Sequence, residues 1–288
     1  MRWAPLLAMA LITPLSPASG NDAVDSAESQ AAKRIITLAP FLSELVVTAG
    51  AGDALIGVSA YSDHPPMVKD LPLIGDAFRV DWEQVLQLKP DLALVWTSGN
   101  PRGTAEAFAR LGITAQSLDP QQFADIPAAL RMIGQWAGTS AAAEAAAQQF
   151  EQRLRQLRQH YSNRPLLRVF YQISRQPLFT LNGEHLASAV IELCGGENIF
   201  AQLPTRAPQV SLEAVLEARP EVILIGSEQT DDVSHWGRWQ RLPAVANKAI
   251  FQIQPDHLIR QTPRILDGVE QVCERLQQAR DHSLVPNH

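Results

Sequence analysis

The residues best suited to chemistry in this 288-residue sequence are aromatic and charged side chains that each follow a short apolar run. Aromatic rings hold flat, partly apolar molecules, and a few polar groups among them fix the orientation of such a ligand. An aromatic residue in such a place also often packs into a core, and an Asp and an Arg four residues apart can simply pair with each other. The candidate ligand-binding residues are Tyr61, Phe78, Trp96, Phe179, Asp256 and Arg260.

Motifs for catalysis or phosphate binding are absent from the sequence. It contains no GxSxG, HExxH or GxxxxGK[ST] pattern, the spacings that place a nucleophile, a zinc ion or a phosphate. The run GGEN at residues 195–198 is interpreted as a helix stop and tight turn rather than as an anion site. His64, His185 and His257 stand singly, without the spacing of metal ligands. We therefore predict a binding protein rather than an enzyme, with no catalytic residues and no dedicated metal-ion site.

The elements that must position these residues come in two similar sets. Short β-branched runs alternate with amphipathic helical stretches, a pattern typical of parallel α/β layers. Predicted strands are 34–38, 54–58, 92–96 and 113–118 in the first set and 168–172, 222–226 and 249–253 in the second; predicted helices are 43–49, 81–88 and 104–111, then 186–193, 211–218 and 263–280. Ligands bind beyond the carboxyl ends of parallel strands, so two facing lobes would gather the candidate residues around one crevice.

A repeated segment relates the two sets. Residues 80–95 align without gaps on residues 210–225. Each copy opens with a residue that can cap a helix, and closes with a cation and a proline before an apolar strand. Each also has a glutamate in the first helical turn, where a negative charge is favourable; these are Glu83 and Glu213. The agreement predicts two related lobes.

The stretch between the two sets predicts one long helix. Residues 140–161 are rich in Ala, Gln, Glu and Arg and contain no Gly or Pro. These strong helix formers predict one helix that is roughly 30 Å long. Its position predicts a spine that joins the lobes, with a surface helix of one lobe as the alternative.

The first residues are typical of an export signal. Arg2 precedes a short apolar run at 6–11 and small residues at 18–20, and the run is too short to span a bilayer.

The net charge is negative. Without Arg2, which belongs to the predicted signal, 23 basic residues stand against 30 acidic ones, a net charge of −7. This balance argues against nucleic acid or an anionic membrane as a partner. The expected division is a signal peptide at 1–20, a disordered leader at 21–33, an N-terminal lobe at 34–125, a helical linker at 126–162, a C-terminal lobe at 163–280 and a disordered tail at 281–288.

Cys194 and Cys273 are the only two cysteines. An even count in an exported chain favours a disulfide, while two buried free thiols remain the alternative. Neither cysteine belongs to a CxxC or Cys/His cluster, so a metal or redox role is not expected.

Several stretches carry a resemblance to a known family. From about residue 34 to residue 276 the sequence resembles the vitamin B12 (cobalamin)-binding branch of the periplasmic substrate-binding proteins of bacterial ABC importers. The pieces LKPD and GGEN occur across related siderophore and haem binders, whereas YSDHPP, PQVS and the two cysteines are narrower. The matching stretches are Ile36–Pro40, Gly57–Pro66, Leu88–Leu92, Cys194–Phe200 and Pro208–Ser211.

The resemblance implies a fold and a set of roles. The fold would be two similar α/β lobes with mostly parallel central sheets, joined by one rigid helix, with the ligand cleft between the lobes. The protein would be a periplasmic monomer that binds a corrinoid as cargo and has no intrinsic cofactor. The implied roles are corrinoid contact for Tyr61, Trp96 and Phe179, polar contacts near the cleft for Asp256 and Arg260, docking on arginines of an inner-membrane permease dimer for Glu83 and Glu213, and a disulfide for Cys194 and Cys273.

Two positions depart from the family pattern. Ala77, which precedes Phe78, and Ala207 stand where the best-known member of the family has Trp, and lost apolar contacts weaken burial of the ligand. The expected ligand is cobalamin, with another corrinoid such as cobinamide, a haem-like ring or a ferric siderophore as alternatives. His64 or His257 would then be candidates to ligate the metal centre of the ring.

Overall fold

A parallel sheet forms the centre of the N-terminal lobe in the computed structural model, which describes residues 31–227 and 231–283. The predicted signal peptide, the leader before residue 31 and the last five residues of the predicted tail lie outside the described residues. The elements of this lobe are β1 (Ile35–Thr37), α1 (Pro40–Thr48), β2 (Leu55–Val58), α2 (Trp82–Leu88), β3 (Leu92–Trp96), α3 (Thr104–Arg110) and β4 (Thr114–Leu118). The sheet has the order β2-β1-β3-β4, and helices pack against it.

Two consecutive helices lead out of this lobe. α4 (Asp125–Ala137) ends before Gly138, and α5 (Ser140–Tyr161) has the bounds that its composition predicts. The buried face of α5 joins an apolar cluster that includes residues of both lobes, so the predicted spine is confirmed. That buried face consists of Ala143, Ala147, Phe150, Leu154 and Leu157.

The C-terminal lobe contains a second parallel sheet, in the order β10-β9-β5-β8, and a small hairpin of β6 and β7. None of the helices among the described residues has the length and apolar composition required to cross a bilayer. The elements are β5 (Leu167–Gln172), β6 (Ser174–Arg175), β7 (Leu178–Phe179), α6 (Leu186–Leu193), β8 (Gly196–Asn198), α7 (Leu212–Ala218), β9 (Val222–Ile225), α8 (Asp231–Trp236), α9 (Pro243–Ala246), β10 (Ile250–Gln252), α10 (Asp256–Ile259) and α11 (Ile265–Ser283).

The two sheets have the same strand order when the repeated segments are matched. β3 and β9 follow the repeated helices α2 and α7, and β2-β1-β3-β4 then corresponds to β8-β5-β9-β10. Lys89 and Arg219, at the ends of α2 and α7, both take a left-handed conformation with φ 47°. Residues other than glycine rarely adopt this conformation, so its recurrence at one position of both copies confirms the predicted repeat.

Some local predictions were wrong. Gly195 stops α6 in a left-handed conformation with φ 73°, as predicted, but residues 196–198 form the strand β8 rather than a tight turn. α1 begins at Pro40 rather than at residue 43, because proline fits the first turn of a helix. The hairpin and helices α8 to α10 were not anticipated, since each is six residues or shorter and too brief to show a hydrophobic period.

The two cysteines form a disulfide. Cys194 ends α6 and Cys273 lies within α11, and their sulfur atoms are 2.01 Å apart. Both residues are fully buried. The disulfide prediction is confirmed, and the alternative of two free thiols is wrong.

Candidate functional site

The repeated segment presents one exposed glutamate on each lobe. The Asp81 carboxylate accepts a hydrogen bond from the Gln84 N–H at 3.0 Å, and the Ser211 hydroxyl accepts one from the Ala214 N–H at 3.1 Å. Each cap therefore begins its helix at the predicted position. Glu83 and Glu213 follow in the first turns, and both are exposed.

Asn100 ties together the loops that follow the N-terminal strands. Its side-chain oxygen accepts a hydrogen bond from the Trp96 N–H at 2.7 Å, and its amide nitrogen donates to Leu38 O at 3.0 Å and Ala77 O at 3.1 Å. The indole N–H of Trp96 donates to Asp119 Oδ1 at 3.1 Å. These bonds fix the backbone and the ring of Trp96 at the carboxyl end of β3.

Two further aromatic rings project from the N-terminal lobe. Tyr61 and Phe78 are each 83% exposed, although large aromatic rings are usually covered in a folded protein. Tyr61 also has φ 66°, a left-handed conformation that is uncommon for a bulky residue and costly to maintain. Exposure together with backbone strain is typical of residues held ready for a ligand.

The C-terminal wall is built from two extended segments that lie side by side. The Thr180 N–H donates to Pro208 O at 3.0 Å, and the Asn182 N–H donates to Arg206 O at 3.0 Å. This pairing sets Phe179, at the end of β7, beside the segment that contains Ala207. Ala207 is exposed and carries no ring, so the wall there is less bulky than the family pattern implies.

Arg260 reaches across the cleft to the N-terminal lobe. One guanidinium nitrogen lies 2.5 Å from Asp63 Oδ1, and the other lies 2.9 Å from Asp256 Oδ2 and donates to Tyr61 O at 3.3 Å. Burial raises the pKa of the Asp63 carboxyl, but the hydrogen bond and charge of Arg260 outweigh it, so that pKa lies below its usual value. The simple pairing of Asp256 with Arg260 that the sequence allows is therefore present, and it extends to Asp63.

A second ion pair between the lobes was not anticipated. Arg264, just before α11, donates two hydrogen bonds to the Glu44 carboxylate of α1, at 2.9 and 2.7 Å. Glu44 is only 3% exposed. Burial lowers the pKa of Arg264, but Glu44 outweighs this effect and raises it above the usual value. Glu44 is the one charged residue of the mostly apolar helix α1. This was a signal in the sequence, since a buried charge requires a partner.

Polar side chains connect the lobes at another place, around a cavity of about 620 Å³. The amide nitrogen of Gln121 donates to Asp119 Oδ2 at 2.9 Å, and Arg206 of the C-terminal lobe donates to Gln121 Oε1. His185 also lines this cavity and accepts a hydrogen bond on Nδ1 from the Ala187 N–H at 3.1 Å. These contacts link the ring of Trp96 to the C-terminal lobe through Asp119 and Gln121.

The two histidines proposed as metal ligands lie next to the Arg260 ion pairs. His64 follows Asp63, and His257 follows Asp256, and both imidazoles are half-buried. Within residues 31–227 and 231–283 no group of three or more His, Cys, Asp or Glu side chains is arranged to hold a metal ion.

A profile of periplasmic binding proteins matches residues 35–257, which include most of both lobes. The chain belongs to the periplasmic binding protein family. A vitamin B12-binding protein of Vibrio cholerae is 39% identical over 246 residues, or 85% of this chain and 89% of that protein.

Solved structures agree with this membership. The crystal structure of a periplasmic vitamin B12 binding protein of Vibrio cholerae is 38% identical, covers 86% of this chain and 98% of its own, and has a TM-score of 0.82. A periplasmic heme-binding protein from Roseiflexus sp. RS-1 has a TM-score of 0.76 at 22% identity, covering 86% of this chain and 100% of its own. The second likeness shows the fold alone. The two-lobed parallel α/β architecture of this periplasmic binding protein is therefore confirmed.

The pKa of His185 gives this periplasmic binding protein a predicted acid sensitivity. Burial, with a smaller effect from the charge of Arg206, lowers that pKa from 6.5 to about 4. Between these values the unfolded chain binds a proton that the folded protein does not bind. The contribution of neutral His185 to the unfolding free energy is therefore complete above about pH 6.5, and it is lost as pH falls toward 4.

His185→Asn is expected to reduce this loss, because Asn keeps a capping acceptor for α6 but does not titrate. Between pH 7 and pH 4.5 the wild type should lose roughly 2 kcal/mol more unfolding free energy than the variant. Urea unfolding of both proteins at the two pH values measures the difference. Equal losses would contradict the assignment to His185.

Proposed function

We propose that this protein captures a corrinoid, cobalamin (vitamin B12) or a close relative, in the periplasm and delivers it to the permease of an ABC importer. The observation that carries the proposal is the exposed ring of Tyr61, on a backbone in the left-handed conformation, where Arg260 of the other lobe reaches across the cleft. The names of relatives that are 39% identical over most of both chains support the choice of ligand.

Binding would use the aromatic and the charged side chains of the cleft in different ways. The rings of Tyr61, Phe78, Trp96 and Phe179 would cover the apolar surface of a flat macrocycle, where each buried ring is worth about 1.5–3 kcal/mol. Arg260 has more N–H donors than its present partners use, and Asp256 supplies acceptors, so both would contact polar groups at the edge of the ring. The ligand is cargo, and the proposed role includes no chemical reaction.

Ala77 and Ala207 leave room for a ring with different substituents. Cobinamide is therefore a candidate ligand beside cobalamin. A haem-like ring is the second candidate, because His64 and His257 both lie beside the Arg260 ion pairs, where either one would be near a bound metal centre.

Delivery would require export of the chain to the periplasm and docking of the folded protein on the permease. Residues 1–20 are proposed as the signal peptide that exports the chain, with folded lobes at 34–125 and 163–280 joined by 126–162. Glu83 and Glu213 are proposed to dock a monomeric receptor on two arginine-bearing subunits of the permease. Carboxylate and guanidinium groups bond in bidentate fashion, which fixes orientation as well as position.

Calorimetric titration of the purified mature protein with cyanocobalamin, dicyanocobinamide and haemin tests the proposal. Saturable heat is expected with a corrinoid, and ligand at 100 times Kd should stabilise the fold by about 2.7 kcal/mol. Phe78→Ala should weaken binding roughly tenfold by removing one ring from the cleft.

The matched control is Leu166→Ala, which removes a 70% exposed apolar side chain just before β5, away from the carboxyl ends of the strands. It should leave the affinity unchanged. Absence of heat and of thermal stabilisation with both corrinoids would overturn the ligand proposal, and saturable binding of haemin alone would establish the second candidate.

A further inference from the structure

The cavity of about 620 Å³ is formed by both lobes and the spine helix. Its polar lining combines amides from the N-terminal lobe, one guanidinium from α5, and three side chains from the C-terminal lobe: Gln121, Gln122, Arg158, Glu184, His185 and Arg206. The volume lies within the range of pockets that hold small molecules.

Two guanidinium groups line this cavity. Arg206 and Arg158 lie there with one acidic lining residue, Glu184, which is exposed. The neighbouring carboxylates of Asp119 and Asp125 accept hydrogen bonds from Gln121 and Gln122. His185 is neutral near pH 7 because its pKa is about 4. Its Nδ1 accepts a hydrogen bond from Ala187, so its proton is carried on Nε2, and the ring is a donor rather than a competing base.

Hydrogen bonds join the cavity to the aromatic part of the cleft. The Arg206 guanidinium donates to the side-chain oxygen of Gln121, and the amide nitrogen of Gln121 donates to the Asp119 carboxylate. The same carboxylate accepts a hydrogen bond from the indole N–H of Trp96. Ala207, which follows Arg206, is exposed, and Gln209 of the same segment pairs with Phe179. Trp96 is thus connected to Arg206 through two side chains, and Phe179 pairs with the segment that contains Arg206.

We propose that this cavity is a second subsite of the cleft, which receives an anionic substituent of the ligand, a phosphodiester, with Arg206 as its main hydrogen-bond donor. A guanidinium has five N–H donors in a planar fork that fits phosphate oxygens, and one hydrogen bond to Gln121 leaves most of them for a ligand. The inference rests on the proposed function. Among corrinoids it selects cobalamin, whose nucleotide loop contains a phosphodiester, over cobinamide, which lacks it.

Titrations of wild type, Arg206→Gln and Arg206→Lys with cyanocobalamin and dicyanocobinamide test the subsite. A charge-assisted hydrogen bond predicts that Arg206→Gln weakens cobalamin binding about tenfold and changes cobinamide binding less than about twofold. Arg206→Lys keeps the positive charge and should lose less affinity for cobalamin. Arg241→Gln, an exposed arginine of the same lobe outside the cavity, is the matched control and should affect neither ligand.

A structural role for Arg206 gives a different pattern. If its only function is the contact between lobes, Arg206→Gln and Gln121→Ala will each weaken the binding of both corrinoids by the same factor. That result would overturn the subsite. The same holds if Arg206→Gln changes neither affinity. Wild-type protein that binds neither corrinoid would instead refute the proposed function, and the subsite would fall with it.

Discussion

Uptake of the ligand is expected to stop when Glu83 and Glu213 are both replaced by alanine, while the affinity for the ligand is kept. Both carboxylates are exposed at the first turn of a capped helix, one on each lobe. Their proposed partners are arginines on two permease subunits, and loss of both contacts removes the bidentate bonds that fix the receptor on the transporter. Accumulation of labelled corrinoid in cells that express the variant measures uptake, and calorimetry measures affinity.

The control is Glu106→Ala combined with Glu217→Ala. These residues are also exposed, one lies on each lobe, and their loss changes the net charge by the same amount. Uptake by this control should match the wild type. Normal uptake by the Glu83 and Glu213 double variant would show that the two carboxylates only favour the starts of their helices. An equal loss in the control would show that bulk charge, rather than position, matters.

Removal of the disulfide is expected to lower the unfolding free energy by about 4 kcal/mol, because the bond closes a long loop in the unfolded chain. The two cysteines are 79 residues apart. Cys194→Ala with Cys273→Ala avoids placing unpaired hydroxyl groups in the core, where both residues are fully buried. Urea unfolding of the wild type and the double variant measures the loss.

Wild-type protein unfolded in a reducing agent is the matched control, since it loses the bond but keeps both side chains. The two losses should agree to within about 1 kcal/mol, the cost of the smaller alanine side chains. Arg280 donates to Cys194 O at 2.8 Å and to Pro165 O at 3.0 Å, so α11 stays attached to α6 in both proteins. A loss below about 1 kcal/mol would contradict the loop-closure account.

The parts of the fold that the sequence predicts well are those with local causes. The caps Asp81 and Ser211, the first-turn glutamates and the spine helix depend on neighbouring residues and on composition, which a sequence displays directly. β8 escaped prediction because three residues that begin with glycine show neither apolar alternation nor β-branching. Helices α8 to α10 escaped because each has six residues or fewer, too few to show a hydrophobic period.

The contacts between lobes could not be predicted because their partners are far apart in the chain. Arg264 meets Glu44 across 220 positions, and Arg260 meets Asp63 across 197. Asp256 and Arg260 were predicted from the sequence as site residues. The sequence did not reveal that Arg260 also forms an ion pair with Asp63 of the other lobe. Arg206, Gln121 and Asp119 carried no motif at all, and only the folded chain brings them together.

The buried stripe of α5 has a consequence for how the receptor gives up its cargo. One apolar cluster runs from the N-terminal lobe through α5 into the C-terminal lobe, and wide separation of the lobes would expose it at about 25 cal/mol per Å². We therefore expect spontaneous opening to be limited to small rocking movements and, on the proposed function, the ligand to dissociate slowly from the free protein. On the proposed function, rapid handover at the membrane requires the permease to supply the free energy that parts the lobes.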